Sequence, residues 1–218
     1  IRKEQFLDDL IVKDADFLMG KDYFTLTGQK RQSNKSPVKA IVIACNTATA
    51  YGQLDIEQVI ETAGLDIKVI GVIDAGAKGA VEVLEDGVAA SIAVVPTKGT
   101  VLSGAYPEAI TANAQKKNLR QNIRVFQQGA FGLAGSIDGA GEFIQHGKSD
   151  SSLRDDYRGP ESGSTEAPID LAILERYGFD FTNNNMLYDG PRDAPTRVQL
   201  NSVENYIAYH LTTLLEQM

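Results

Sequence analysis

The stretch Ala40-Ile41-Val42-Ile43-Ala44-Cys45-Asn46-Thr47-Ala48-Thr49-Ala50 constrains the fold more than any other part of the chain. An unbroken run of small and aliphatic residues, rich in Val and Ile, reads as a strand buried on both faces of a sheet. It ends at Cys45, the one cysteine among 218 residues. Small polar residues suited to opening a helix follow. The thiol is therefore expected at the carboxyl end of a buried strand, where open α/β sheets carry their ligand sites. Asn46 or Thr47 can cap the next helix, which places Cys45 near a helix N-terminus, where the macrodipole favours negative charge. The competing role for Cys45 is that of a small buried core residue, the usual fate of a free cysteine.

The rest of the chain supplies a rhythm around this strand. Phe6, Leu7, Leu10, Ile11, Phe17 and Leu18 predict an amphipathic helix or helix pair over 4–18, and the polar residues 20–38 read as loop. Tyr51, Ile56, Val59, Ile60 and Ala63 mark a helix stopped by Gly64. A second buried strand is expected over 67–73, ending in Asp74-Ala75-Gly76, with a helix through Ala77, Ala80, Val81 and Leu84. A third strand follows at 91–95, then the turn Pro96-Thr97-Lys98-Gly99-Thr100, a helix from about Ser103 to Asn118, and a strand at 123–126. Strands alternating with helices in this way define an α/β chain with a mainly parallel sheet. Beyond Phe126 the pattern weakens. Gly129, Gly132, Gly135 and Gly139 interrupt a helical stretch, 147–167 reads as an exposed loop, and Pro168 to Tyr177 as a short helix stopped by Gly178. The tail is clearer: Leu200, Val203, Tyr206, Ile207, His210, Leu211, Leu214 and Met218 share one helical face.

Composition excludes several classes. A net charge of −8 carries no nucleic-acid footprint and no basic run for an anionic membrane surface. No apolar run reaches membrane-spanning length. One cysteine forms no internal disulfide, which points to a reducing cytoplasm. With two histidines and one cysteine no metal-ligand spacing occurs, so no metal is expected. There is no Gly-x-Ser-x-Gly elbow and no Walker loop. His210, on the apolar face of the last helix, reads as a satisfied core histidine, and His146 as a helix C-terminal residue.

Three post-strand turns hold the candidate chemistry: Cys45-Asn46-Thr47, Asp74-Ala75-Gly76 and Thr97-Lys98-Gly99-Thr100. They offer a thiol, an amide, hydroxyls and backbone N–H groups, an inventory suited to a small anion such as a carboxylate. The plain alternative for Thr47, Thr97 and Thr100 is capping and turn chemistry, and Asp74 is expected to cap its own helix.

Residues 40–50 resemble the first catalytic cysteine motif of bacterial glutamate racemases, in the aspartate/glutamate racemase superfamily. Gly71-Val72-Ile73-Asp74-Ala75-Gly76-Ala77-Lys78 resembles that family's Gly-Val-Ile-x-x-Gly-Ala segment. Thr97-Lys98-Gly99-Thr100-Val101-Leu102-Ser103-Gly104-Ala105-Tyr106 resembles its Thr-x-x-Thr-x-x-Ser-x-x-Tyr segment. The likeness covers residues 38–118. It implies a cofactor-independent racemase of two flavodoxin-like (Rossmann-like) α/β lobes with the site between them. In such enzymes one cysteine thiolate removes the substrate α-proton and a second thiol delivers a proton to the opposite face. Cys45 then corresponds to one of the pair, and Asn46, Thr47, Thr97 and Thr100 to residues holding the carboxylate and amino groups of glutamate or aspartate. By the family's pattern, residues 1–90 with 185–218 form the first lobe and 91–184 the second. Family members are often dimers and supply D-glutamate for peptidoglycan, so a cytoplasmic homodimer belongs to this expectation.

The chain also departs from the family. The second motif, Gly-Cys-Thr-His-Tyr-Pro, is absent, as are an N-terminal Asp-Ser-Gly segment and the Pro-Tyr-Gly turn before the first cysteine. Two explanations stand. The chain, which opens on Ile1 rather than Met, is expected to be a trimmed racemase; alternatively it is a divergent relative. A one-cysteine relative would be a one-base enzyme, such as a dicarboxylate isomerase, or a catalytically silent binding protein that keeps the pocket.

Overall fold

The computed structural model describes residues 3–25 and 31–218. They fall into two compact units, Ile1–Ala90 with Leu102–Ile123, and Ser91–Val101 with Arg124–Met218. The first unit opens with helix α1 (Lys3–Met19), then strands β1 (Tyr23–Phe24) and β2 (Arg31–Gln32), paired antiparallel within the segment expected to be loop. Strand β3 (Ala40–Ile43) leads into helix α2 (Asn46–Thr62), and β4 (Lys68–Gly71) into α3 (Val72–Glu82). β3 and β4 pair in parallel, from Ala40 opposite Lys68 to Ile43 opposite Gly71. Ala15, Ile41, Ile43, Ile56 and Ile60 form the buried cluster, with Ile11, Met19, Ala48, Ile67 and Val69 packed on it. Val42 and Ile70, on the opposite face of the strand pair, are exposed. The strand expected to be covered on both faces is thus covered on one.

Two boundaries moved. The second strand was expected to run to Ile73, but α3 starts at Val72. Ile73, Ala77 and Val81 are its buried residues. Their spacing of four is a helical period that includes Ile73 and so overrides its β-branched preference. The helix expected from Ser103 arrives as two pieces, α4 (Lys98–Ser103) and α5 (Ala105–Lys116). They are separated by Gly104 in the left-handed region at φ 70°. The expected stop at Gly64 is present: the N–H of Leu65 reaches back to the carbonyl of Ile60 at 3.0 Å, which caps the last turn of α2.

Strand β5 (Ala90–Val94) pairs with β6 (Ile123–Gln127). The short helices α6 (Leu133–Ile137) and α7 (Leu174–Tyr177), strands β7 (Met186–Asp189) and β8 (Arg197–Leu200), and helix α8 (Val203–Leu215) complete the second unit. Its core gathers Ile144, Tyr157, Ala167, Ile169, Tyr177, Met186, Val198, Leu200, Tyr206 and Tyr209. The β7–β8 pair is antiparallel and escaped the sequence reading for a physical reason. Met186 with Leu187, and Val198, Gln199 and Leu200 in succession, are buried on both faces, so no period-two pattern is displayed. Leu200 belongs to this strand rather than to the closing helix.

Residues 147–167 are irregular but not simply exposed. Tyr157, Pro160 and Ala167 are buried, and buried amides of the last segment bind the neighbouring backbone. Gln199 accepts from the N–H of Arg154 and donates to its carbonyl, both at 2.9 Å. Asn205 accepts from the N–H of Asp180 (2.8 Å) and donates to the carbonyls of Asp180 (2.8 Å) and Asn185 (2.9 Å). These amides replace the ladder bonds that irregular backbone lacks. The tail therefore packs on residues 131–181 of the second unit, whereas the family-based division set 185–218 beside residues 1–90. No helix among the described residues is long and apolar enough to cross a membrane.

Candidate functional site

Cys45 stands where the sequence reading expected it. Buried Ile41 and Ile43 anchor β3 in the core, the chain leaves the sheet at Ala44, and Cys45 becomes the N-cap of α2 with extended φ −100° and ψ 127°. Its side chain makes no capping hydrogen bond, and the residue is exposed. The core role offered as the alternative is therefore overturned: a thiol on an exposed cap is open to small molecules in solution.

The backbone beneath it is held closely. The N–H and the hydroxyl of Thr49 each donate to the carbonyl of Cys45 at 2.9 Å, and the hydroxyl also lies 3.2 Å from the carbonyl of Ile43. Thr49 is in turn pressed by Gly71 at the end of β4. A Cβ on Gly71 would sit 2.0 Å from Oε1 of Gln53 and 2.4 Å from Cγ2 of Thr49. Glycine at 71 thus lets strand β4 touch the first turns of α2.

Asn46 and Thr47 are the first two residues of α2 and are half-buried. Tyr106, near the start of α5, donates from its hydroxyl to Oδ1 of Asn46 at 3.1 Å. Burial pushes the Tyr106 phenol above its ordinary range near 10, so it stays a neutral donor at physiological pH. Asp74 does not cap its helix. Gly71 holds the N-cap position, while Asp74 lies in the first turn of α3 and accepts from Nδ2 of Asn113 at 2.8 Å. That bond ties α3 to α5 and gives the carboxylate a structural task.

Thr97 and Thr100 belong to the second unit. Their hydroxyls are 3.0 Å apart, and Oγ1 of Thr97 accepts from the N–H of Thr100 at 3.3 Å. Thr97 is exposed and Thr100 fully buried. This is the capping geometry of α4 foreseen as the plain alternative. The structure therefore brings Cys45, Asn46 and Thr47 together in one unit, and Thr97 with Thr100 in the other.

The histidines divide. His210 is 1 % exposed. Its Nε2 lies 3.0 Å from the carbonyl of Phe131 and its Nδ1 3.4 Å from Nε2 of Gln128, and burial holds its pKa below the ordinary 6.5. It is the satisfied core histidine expected. His146 is exposed in a turn rather than at a helix end. Sequence reasoning did not single out Thr49 or Tyr106 for the site. Thr49 follows Cys45 by four residues, the spacing at which a hydroxyl can reach back to a helical carbonyl, and Tyr106 closed a motif that had been quoted.

A parallel strand running into a helix capped by an exposed cysteine, followed at once by Asn-Thr, defines an α/β protein with a solvent-facing thiol site. No protein-family model matches the chain. Similarity to individual proteins is specific. The chain is 41% identical over 73 residues to the glutamate racemase of Oceanobacillus iheyensis, covering 34% of this chain and 24% of that protein. It is 45% identical over 88 residues to the glutamate racemase of Listeria monocytogenes, covering 40% and 28%. With that of Enterococcus faecalis it shares 42% over 80 residues, covering 37% and 26%. The matches thus span about a quarter of the length of these relatives. Among solved structures, a glutamate racemase of Bacillus anthracis aligns with a TM-score of 0.42 and 24% identity over 64% of this chain and 41% of that one. The glutamate racemase of Campylobacter jejuni aligns with a TM-score of 0.41 and 21% identity over 72% and 56%. The resemblance to glutamate racemases noted in the sequence is borne out.

Proposed function

We propose that this chain carries the Cys45 side of a cofactor-independent amino-acid racemase acting on glutamate. The observation that supports it most is the exposed thiol of Cys45 at the start of α2, directly before Asn46-Thr47, in a chain with a stretch 41–45% identical to glutamate racemases. Inverting an α-carbon needs a base on one face and an acid on the other. The Cys45 thiolate takes the α-proton from one face, and an acid on the opposite face returns a proton to the carbanion. Cys45 is the single thiol of these 218 residues, so it serves one face. The side chains of Asn46 and Thr47 donate to the substrate. Glutamate is the substrate and aspartate the competitor to test. The cytoplasm, which keeps a lone thiol reduced, is the proposed location, a homodimer the proposed assembly, and supply of D-glutamate for cell-wall peptidoglycan the proposed role.

The test is incubation of the protein with L- or D-glutamate in deuterated water, without cofactor and with a chelator present. Loss of optical activity is followed by circular dichroism and α-deuteration by NMR. Racemisation with α-deuterium, abolished by Cys45→Ser and Cys45→Ala, is expected. Deuterium entering with retained configuration would reduce the activity to one-sided exchange. No exchange from either isomer overturns the racemase reading.

A further inference from the structure

Asn46 sits next to the proposed base, yet an amide can serve a ligand in two opposite ways. Its Oδ1 accepts hydrogen bonds and its NH2 donates them, so the orientation of the amide decides whether the neighbouring subsite suits a carboxylate or an ammonium group. In this structure the orientation has a physical cause. Tyr106 is the second residue of α5, which Gly104 starts afresh through its left-handed backbone. Its hydroxyl meets Oδ1 of Asn46 at 3.1 Å. A phenol donates to an amide oxygen far better than it accepts from an amide nitrogen, so the contact occupies the acceptor end of Asn46. On α3, Gly76 stands beside the Tyr106 hydroxyl without a side chain. Even a Cβ built there would be 3.6 Å from the Tyr106 hydroxyl.

We propose that Tyr106 is a positioning residue that fixes Asn46 as a donor, so that the subsite beside Cys45 takes the substrate's carboxylate and not its amino group. The proposal rests on the racemase reading and narrows it, because it assigns to one residue one of the two substrate groups. The hydroxyl is the part that acts: the ring alone would leave the amide of Asn46 free to turn over.

The experiment uses Tyr106→Phe, which keeps the ring and removes the hydroxyl, together with Asn46→Ala and the double variant. Racemisation kinetics and NMR titration of the side-chain amide of Asn46 with glutamate are both recorded. In the wild type, glutamate shifts the Asn46 NH2 signals. Tyr106→Phe raises KM and the NMR-measured Kd by about tenfold, the loss expected when one hydrogen bond to a ligand-binding group goes, while kcat falls less than about threefold. In the Asn46→Ala background Tyr106→Phe has no further effect, because its action runs through Asn46. A merely structural tyrosine would instead give additive effects and a lowered Tm in both backgrounds. The proposal is overturned by an unchanged KM and Kd in Tyr106→Phe, by additivity in the double variant, or by wild-type Asn46 signals that glutamate does not move. Failure of the racemase reading looks different. The wild type would then bind glutamate through Asn46, with the Tyr106 dependence intact, and neither racemise nor exchange it.

Discussion

Thr49 is bonded twice to Cys45, its N–H and its hydroxyl each 2.9 Å from the same carbonyl oxygen. The backbone under the thiol is therefore held by one buried residue, through its backbone and its side chain. Replacing Thr49 by Val keeps the volume and removes the hydroxyl. A loss of about 1 kcal/mol is expected, the usual net worth of such a bond, read as a lower urea midpoint with unchanged slope. Thr49→Ser should recover most of it. Equal stability of Thr49→Val and wild type would show that the hydroxyl contributes nothing.

Gly71 and Gly79 offer opposite outcomes for the same substitution. A Cβ at 71 would meet Cγ2 of Thr49 at 2.4 Å, whereas at 79 it meets nothing within 4 Å. Gly71→Ala should destabilise by about 1–3 kcal/mol through overpacking. Gly79→Ala, in the exposed interior of α3, should stabilise by roughly 0.5–1 kcal/mol through helix propensity. Thermal melts of the two variants decide between them.

Asn205 ties together the backbone of Asp180 and Asn185 through both ends of its amide. Asn205→Leu leaves one N–H and two carbonyls without this partner and should cost about 3 kcal/mol. Hydrogen exchange of the Asp180 amide should accelerate in the variant. Protection equal to wild type would assign the ordering of this segment to something else.

His210 makes the second unit acid-sensitive. Burial lowers its pKa in the folded state, while the unfolded chain titrates near 6.5. The unfolded state therefore binds the proton first, and stability falls as the pH drops through about 6.5 toward the folded value, with a slope of at most about 1.4 kcal/mol per pH unit. The exposed carboxylates Asp86, Asp150 and Asp156, held below the ordinary range by hydrogen bonds from Arg120, Ser152 and Arg154 respectively, act at a lower pH. Denaturant midpoints at pH 7.5 and 5.5 should differ in the wild type and converge in His210→Gln.

Cys45, being exposed, should react with a disulfide reagent at one equivalent per native chain. Glutamate should slow the reaction if it occupies the proposed site. A thiol that reacts only after denaturation would contradict its placement on the surface.

Much of the first unit was legible because its signals are local. The apolar run of β3, the helical spacing of Ile56 and Ile60, and the glycine stop at 64 each act within a few residues. The boundary at Val72 was not legible, since Ile73 serves equally well as a strand residue or as the first buried position of a helix. The β7–β8 pair was hidden by burial on both faces. Sequence placed Cys45, Asn46 and Thr47 at the junction of strand and helix but passed over Tyr106, which meets Asn46 across 60 positions.

By itself the sequence determined that this is an α/β chain with a cysteine at the junction of a buried strand and a helix, and it pointed to the racemase family through short motifs. Strand, helix and turn preferences depend on neighbouring side chains and the adjacent backbone, and a linear reading captures them. Only the tertiary structure decided that the thiol is exposed and that Thr49 and Gly71 set the backbone beneath it. It also decided that Tyr106 occupies the oxygen of Asn46 and that buried amides order the second unit. Those relations depend on distances between residues far apart in the chain, which packing determines and local preference does not.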